Sequence, residues 1–221
     1  MTTALIVAAG SSRRMGFNKL LAPLAGVPVL RRTLVAFQAC AGIDAILVVA
    51  GDEAANAVRG WQAEGGLEKL QAILPGGAER HLSVWEGLRA CAPGTELVAV
   101  HDGARPLIAP DQIERCLAAA REHGAAACAR PLTETLKRAD ANGIITGSIE
   151  REGAWIMETP QVFRLDLLTR AYEAVLGEGR LVTDEVSALQ HLGAPVHLVV
   201  NDGPNPKITF AADLALAEKM L

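Results

Sequence analysis

The chain carries a series of short apolar runs that stop abruptly at glycine or aspartate, and this pattern limits its possible folds more than any other feature. Ala4–Ala9 halts at Gly10, Ala45–Ala50 at Gly51 and Asp52, and Leu97–His101 at Asp102 and Gly103. Gln71–Leu74 closes at Pro75, Gly76 and Gly77, and Ala125–Ala129 and Val196–Val200 also read as strands, without that stop. A strand that is apolar on consecutive positions, not alternate ones, is covered on both faces, as in parallel sheets flanked by helices. Helical spacing fills the intervals: Pro28–Cys40 places Leu30, Leu34 and Phe37 on one side, with Pro28 suited to a first turn. Arg80–Cys91, Pro110–His123, Arg164–Leu176, Asp184–His191 and Ala211–Met220 also read as helices. Strands and helices in alternation predict an α/β fold with a doubly wound, mostly parallel sheet. From Pro131 to about Trp155 the rhythm breaks into short runs containing threonine and glycine, which read as a projecting β-hairpin arm. The expected organisation is one domain over residues 1–221 with that arm.

Composition narrows the function. A net charge of −4 supplies no basic field for nucleic acid or an anionic membrane surface, so neither is an expected partner. No run approaches the roughly 18 apolar residues of a membrane span, and Met1–Gly10 lacks the basic start of a signal peptide. Cys40, Cys91, Cys116 and Cys128 form no metal-type or disulfide-type spacing and read as small buried hydrophobes in a reducing cytoplasm. A small anionic substrate would therefore need a local cluster of cations.

Open parallel sheets bind ligands beyond the carboxyl ends of their strands, so the loops there are where chemistry is expected. Residues 8–19 combine small residues, whose backbone approaches a ligand closely, with Arg14 and Lys19, which can neutralise phosphate oxygens. The loop has neither a Gly-Lys-Ser/Thr ending nor a GxGxxG fingerprint, which argues against a Walker loop and against a dinucleotide oxidoreductase. Gly76 and Gly77 lie before a helix start with Ser83 on its first turn, offering backbone groups that can read a base edge. Asp102, at the end of a buried strand, is placed to hold a hard cation beside phosphates, with Arg105 near enough to pair with it or brace the loop. Lys207 follows the last strand and can reach the same cleft as Lys19.

These segments, together with Thr159–Phe163 and Thr183–Leu189, resemble the 2-C-methyl-D-erythritol 4-phosphate cytidylyltransferases, from Ala4 to the C-terminus. His101–Pro106, Thr159–Gln161 and Thr183–Glu185, in this order, make the resemblance specific. It implies a Rossmann-like nucleotidyltransferase that joins the CMP part of CTP to a phosphorylated polyol, with Mg²⁺ as cofactor. By the same resemblance Ala8, Ala9, Gly10, Gly77 and Ser83 contact the cytidine part, and Arg14, Lys19 and Lys207 surround the α-phosphate. Asp102 matches the magnesium ligand and Arg105 the arginine of its loop, while Thr159 and Thr183 match threonines lining the site. Thr135 and Arg151 match arm positions that reach the methylerythritol phosphate of a neighbouring subunit, which implies a homodimer formed through the arm. Ala78, Arg130 and Phe210 depart from the family pattern, where an acidic, a small and a more polar residue are usual. Two other expectations compete: a ribitol-phosphate or other polyol-phosphate cytidylyltransferase, and a catalytically inactive nucleotide-binding regulator. The regulator would have lost Lys19, Asp102 or Lys207, and all three are present.

Overall fold

A computed structural model describes residues 1–10 and 16–221. The chain opens with strand β1 (Thr2–Ala8), a small hairpin of β2 (Pro23–Leu24) and β3 (Val27–Pro28), helix α1 (Val29–Ala39) and strand β4 (Ala45–Ala50). Helix α2 (Asp52–Glu64), strand β5 (Leu70–Pro75), helix α3 (Arg80–Arg89), strand β6 (Leu97–Asp102) and helix α4 (Pro110–His123) follow. Strand β7 (Ala125–Pro131) leads into the hairpin β8 (Leu136–Ala139) and β9 (Ile145–Ile149), and β10 (Trp155–Arg164) leads out of it. Helices α5 (Leu165–Gly177) and α6 (Glu185–His191), strand β11 (His197–Val200) and helix α7 (Ala211–Glu218) end the chain.

The main sheet runs β11-β7-β10-β6-β1-β4-β5. Every pairing in it is parallel except those of β10, which runs antiparallel between β6 and β7. The doubly wound expectation therefore holds, with one reversed strand that the sequence pattern does not announce. β10 is the return leg of the arm, and that is why it enters the sheet backwards. Its register against β7 shifts between Met157 and Gln161, which takes Glu158, Thr159 and Pro160 out of the ladder. A second unannounced element is α2, whose buried stripe is Ala54, Ala55, Val58 and Trp61.

Both faces of the sheet are buried, as the continuous apolar runs require. Successive residues of a strand point to opposite faces, so Ile6 and Val48 pack with Leu34, Phe37, Val58, Ile113 and Leu117 on one side. Leu5, Leu47 and Val49 pack with Val84, Leu88, Leu168, Tyr172 and Leu189 on the other. Each such side chain stabilises the fold by about 1.5–3 kcal/mol through burial. Helix ends follow local chemistry. α4 starts with Pro110 and Asp111, carries Arg121 and His123 in its last turn, and stops at Gly124, which takes a left-handed φ of 84°. α6 is capped by Asp184, whose carboxylate accepts the Ser187 amide at 3.0 Å.

Chain order along the sheet reverses at β1: β4 and β5 lie on one side of it, β6 on the other. The carboxyl ends of β1 and β6 thus flank the crevice where doubly wound sheets take their ligands.

Candidate active site

At that crevice is a cavity of about 510 Å³. Of the residues the sequence singles out, Ala8, Ala9, Gly10, Lys19, Ser83, Asp102 and Lys207 line it. The residues come from the end of β1, the loop before α1, the first turn of α3, the end of β6 and the loop after β11. Arg14 lies outside the described residues.

Asp102 is the hub. Lys207 Nζ is 2.8 Å from its Oδ2, Arg80 Nε donates to Oδ1 at 3.3 Å, and Arg105 Nε lies 3.5 Å from Oδ2. The Arg105 Nε contact is a charge contact without hydrogen-bond alignment; the guanidinium is instead held by Nη1 donating to the Asn205 carbonyl at 2.7 Å. Burial works against the Asp102 charge, but Arg80, Lys207 and Arg105 outweigh it and hold the carboxyl well below the usual carboxylate range. Lys19 donates from Nζ to the Ile208 carbonyl at 2.7 Å, so it reaches the Lys207 loop from the opposite wall. A protein of net charge −4 therefore gathers Arg80, Arg105 and Lys207 around Asp102, in a cavity that Lys19 and Glu79 also line.

Arg80 was not singled out by the sequence. It is the first residue of α3, and its guanidinium forks onto Glu185 at 2.7 and 3.1 Å. Glu185 is fully buried and also accepts the Tyr172 hydroxyl at 3.0 Å. Burial would lower the Arg80 pKa, yet Glu185 and Asp102 drive it further up, so the group is a permanent cation fixed in the cavity wall. Burial and the Glu185 carboxylate push the Tyr172 hydroxyl up as well, which keeps it a donor.

A second layer sets the position of Asp102. Its amide donates to Thr159 Oγ1 at 3.1 Å, and Thr159 Oγ1 lies 3.0 Å from His101 Nδ1. His101 Nε2 faces the Arg105 carbonyl at 3.3 Å, an acceptor only, so the proton belongs on Nε2 and Nδ1 accepts from Thr159. Burial lowers the His101 pKa to about 3, consistent with a neutral ring. Thr159 thus stands behind Asp102, not in the cavity wall. Gly77, likewise outside the lining, donates its amide to Ser83 Oγ at 3.0 Å, and that hydroxyl donates to the Glu79 carbonyl at 3.2 Å. Ser83 holds the glycine turn in shape. Gly76 is required there by close approach, since a Cβ on it would overlap the Cβ of Ala9.

Other named residues lie elsewhere. Arg105 backs Asp102 without lining the cavity, and Thr183 pairs with Ser187 at 3.3 Å beyond it. Thr135 is exposed on the arm, and Arg151 donates to the Thr133 carbonyl at 3.0 Å. Neither lines the cavity of its own chain. Among the described residues no cluster of His, Cys, Asp and Glu forms a metal site on its own. Asp102 is a lining carboxylate that could hold a metal beside phosphates, and Glu79 is the other acidic residue of the lining.

A doubly wound sheet whose switch point opens into a cavity with Lys19, Arg80 and Lys207 beside the ionised Asp102 carboxylate is the architecture of an α/β enzyme acting on nucleotide phosphates. The family model for IspD, 2-C-methyl-D-erythritol 4-phosphate cytidylyltransferase, matches residues 2–221. The chain is 40% identical to the 2-C-methyl-D-erythritol 4-phosphate cytidylyltransferase of Symbiobacterium thermophilum, over 99% of this chain and 92% of that protein. The relative of the same name from Pelotomaculum thermopropionicum is 38% identical, over 99% and 93%. Among solved structures, 4-diphosphocytidyl-2C-methyl-D-erythritol synthase from Anaerococcus prevotii superposes with a TM-score of 0.87 at 28% identity, covering 99% of this chain and 94% of that one. The chain belongs to the 2-C-methyl-D-erythritol 4-phosphate cytidylyltransferase family.

Proposed function

We propose that the chain transfers CMP from CTP to 2-C-methyl-D-erythritol 4-phosphate, giving 4-diphosphocytidyl-2-C-methyl-D-erythritol and pyrophosphate for isoprenoid precursor synthesis. The observation that carries this reading is the convergence of Lys19, Lys207 and Asp102 on one cavity from segments nearly two hundred positions apart in the chain. A phosphate oxygen of the acceptor attacks the α-phosphorus. A new phosphorus–oxygen bond forms as the bond to the bridging oxygen breaks, and its electron pair leaves with pyrophosphate. The attacking oxygen is already ionised near neutral pH, so no general base is needed. The obstacle is the approach of one anion to another, and Lys19, Lys207 and Arg14 offset it and hold charge growing on the α-phosphoryl group.

The residues fit a hard cation. Asp102 is an ionised oxygen donor beside the phosphate-facing lysines, and a bound Mg²⁺ would supply Lewis-acid charge to the triphosphate. Lys207 rests on Asp102 at 2.8 Å and is released toward phosphate when the carboxylate is otherwise engaged. Ala8, Ala9, Gly10 and the Gly77 turn braced by Ser83 offer backbone groups to the base. Ala78 stands where an acidic residue is usual, so base selection rests on that backbone. Arg105 and Thr159 support the acceptor side by fixing the Asp102 loop, with Thr183 nearby on the α6 approach. By the family resemblance Thr135 and Arg151 of the arm would reach the site of a second subunit, and the proposed working form is a homodimer in the cytoplasm, a reading supported by the exposure of the arm.

Pyrophosphate release measured with CTP, UTP, ATP or GTP against methylerythritol phosphate or ribitol phosphate tests the reading. CTP with methylerythritol phosphate is expected to be fastest; equal rates with ribitol phosphate would transfer the assignment to the polyol-phosphate relatives. Lys19→Ala and Lys207→Ala each should stay folded and lose about 10²–10³-fold in turnover. A near-normal rate removes that lysine from the catalytic set.

A further inference from the structure

The segment that carries Lys207 has almost no regular structure of its own. Residues 201–209 lie between β11 and α7 with neither helix nor strand, and such a segment keeps one conformation only where it is tied down. Arg105 and Lys19 hold its Asn205 and Ile208 carbonyls from outside, while the segment's own two asparagine side chains meet on a single carboxylate. Asn201 Nδ2 donates to Glu158 Oε2 at 2.9 Å and Asn205 Nδ2 donates to the same oxygen at 3.0 Å. Cys128 Sγ also points at that oxygen, 3.7 Å away, and Arg130 Nε lies 3.6 Å from the other, Oε1. Glu158 is 5% exposed. A carboxylate that deep persists only with its partners in place. Arg130, the departure from the family pattern at the end of β7, is one of them.

We infer that Glu158 is a positioning residue for the transfer reaction: by clasping Asn201 and Asn205 it sets the loop that presents Lys207 to the α-phosphate. The inference rests on the assignment of Lys207 above. Asn205 has no freedom to flip, because its Nδ2 serves both Glu158 and the Thr159 carbonyl at 2.8 Å while its buried Oδ1 has no partner. Reversing the amide would set an oxygen against two acceptors. Three positions further on, the Ile208 amide donates to the Ala104 carbonyl at 2.8 Å and its side chain is fully buried. Lys207 thus hangs between two fixed points, and Glu158 holds the first of them together with the Thr159 carbonyl and Arg105. Because Glu158 sits in the β10 bulge beside Thr159, one irregularity in one strand fixes both Asp102 and the lysine that contacts it.

The test compares Glu158→Ala, Glu158→Gln, Lys207→Ala and the Glu158→Ala/Lys207→Ala double variant in the whole protein, following kcat and KM for pyrophosphate release. Misplacement of a reacting-site group by about 1 Å costs on the order of 10²-fold, so Glu158→Ala is expected to lower kcat by about 10- to 100-fold. Glu158→Gln retains an acceptor oxygen and is expected to recover most of that loss. In the Lys207→Ala background the Glu158→Ala change should add less than about twofold, because a residue acting through Lys207 has nothing left to position. Hydrogen exchange should quicken at 201–209 and stay unchanged in β1 and β4. Should Glu158→Ala fail to fold, Asn201→Ala removes one tether alone and is expected to show the same local exchange with a smaller loss of kcat. Multiplicative losses in the double variant, a Gln variant as slow as Ala, or Asn201→Ala with unchanged exchange and rate would each overturn the inference. A normal rate for Lys207→Ala alone would instead strike at the lysine assignment, and the two failures are told apart by that single variant.

Discussion

Single residues of this site differ sharply in how far the sequence discloses them. Lys19, Asp102 and Lys207 lie at or beyond strand ends, where a doubly wound sheet puts its ligand, so their place in the cavity lining was legible, while their roles there come from the family resemblance. Arg80 opens helix α3 just after such a loop, but its meaning depends on Glu185, 105 positions away, and no spacing rule connects them. His101 is visible as part of a motif, while its work is hidden: a neutral ring whose tautomer is dictated by two neighbours. The Arg80–Glu185 pair carries a consequence for stability. Removing one partner of a buried ion pair leaves an uncompensated charge and costs about 3–5 kcal/mol. Arg80→Ala should therefore lower the free energy of unfolding in urea by that amount, because Glu185 is fully buried and keeps only the Tyr172 hydroxyl. Arg80→Lys should recover part of the loss, since an ammonium restores the charge without the fork. An unchanged urea midpoint in Arg80→Ala would mean that Tyr172 alone satisfies Glu185.

Elements were legible where an apolar run met a turn signal, and lost where the signal was shared with something else. β10 contains Thr159–Phe163, a segment whose motif character drew attention away from its ten-residue span as a central antiparallel strand. α2 buries two alanines, a valine and a tryptophan, a stripe too slight in volume to stand out beside the Leu-rich helices. The arm was legible as an excursion, and its strands β8 and β9 pair only with each other. A two-stranded hairpin is marginal alone in water, and this one exposes Ile144 and Ile145, in keeping with the proposed second subunit. Glycines show how local the element-scale argument is. Gly60 lies inside α2 with nothing near its missing Cβ, whereas Gly76, between β5 and α3, abuts Ala9 at the end of β1. Gly60→Ala should stabilise the protein by about 0.5–1 kcal/mol through helix propensity. Gly76→Ala must displace the Ala9 backbone or its own turn, at a cost of about 1–3 kcal/mol, and should raise the KM for CTP more than it lowers kcat. Thermal unfolding and CTP titration of the two variants decide it; equal KM values would detach the Gly76 turn from nucleotide binding.

For the whole molecule, the question is whether folding and catalysis draw on the same charges. The core is apolar on both faces of the sheet and is not held by disulfides: all four cysteines are free thiols, and burial raises that of Cys40 to about 12 and that of Cys91 to about 11. The cation-rich cavity is different. In the structure Lys207, Arg80 and Arg105 surround Asp102 with positive charge, so the fold itself offsets that carboxylate. A metal on Asp102 would be drawn there by the triphosphate, whose oxygens must supply most of its ligands, since no other acidic or histidine cluster is present among the described residues. Chelation by EDTA should therefore abolish pyrophosphate release from CTP while leaving the thermal midpoint of the protein unmoved, and added Mg²⁺ should restore the rate. Binding to the folded state alone would raise the midpoint in proportion to ligand concentration, so Mg²⁺ without CTP should shift it little and the two together should shift it upward. A midpoint that drops on chelation would assign the ion a structural duty, and would place it at a site other than the carboxylate that Lys207, Arg80 and Arg105 already balance.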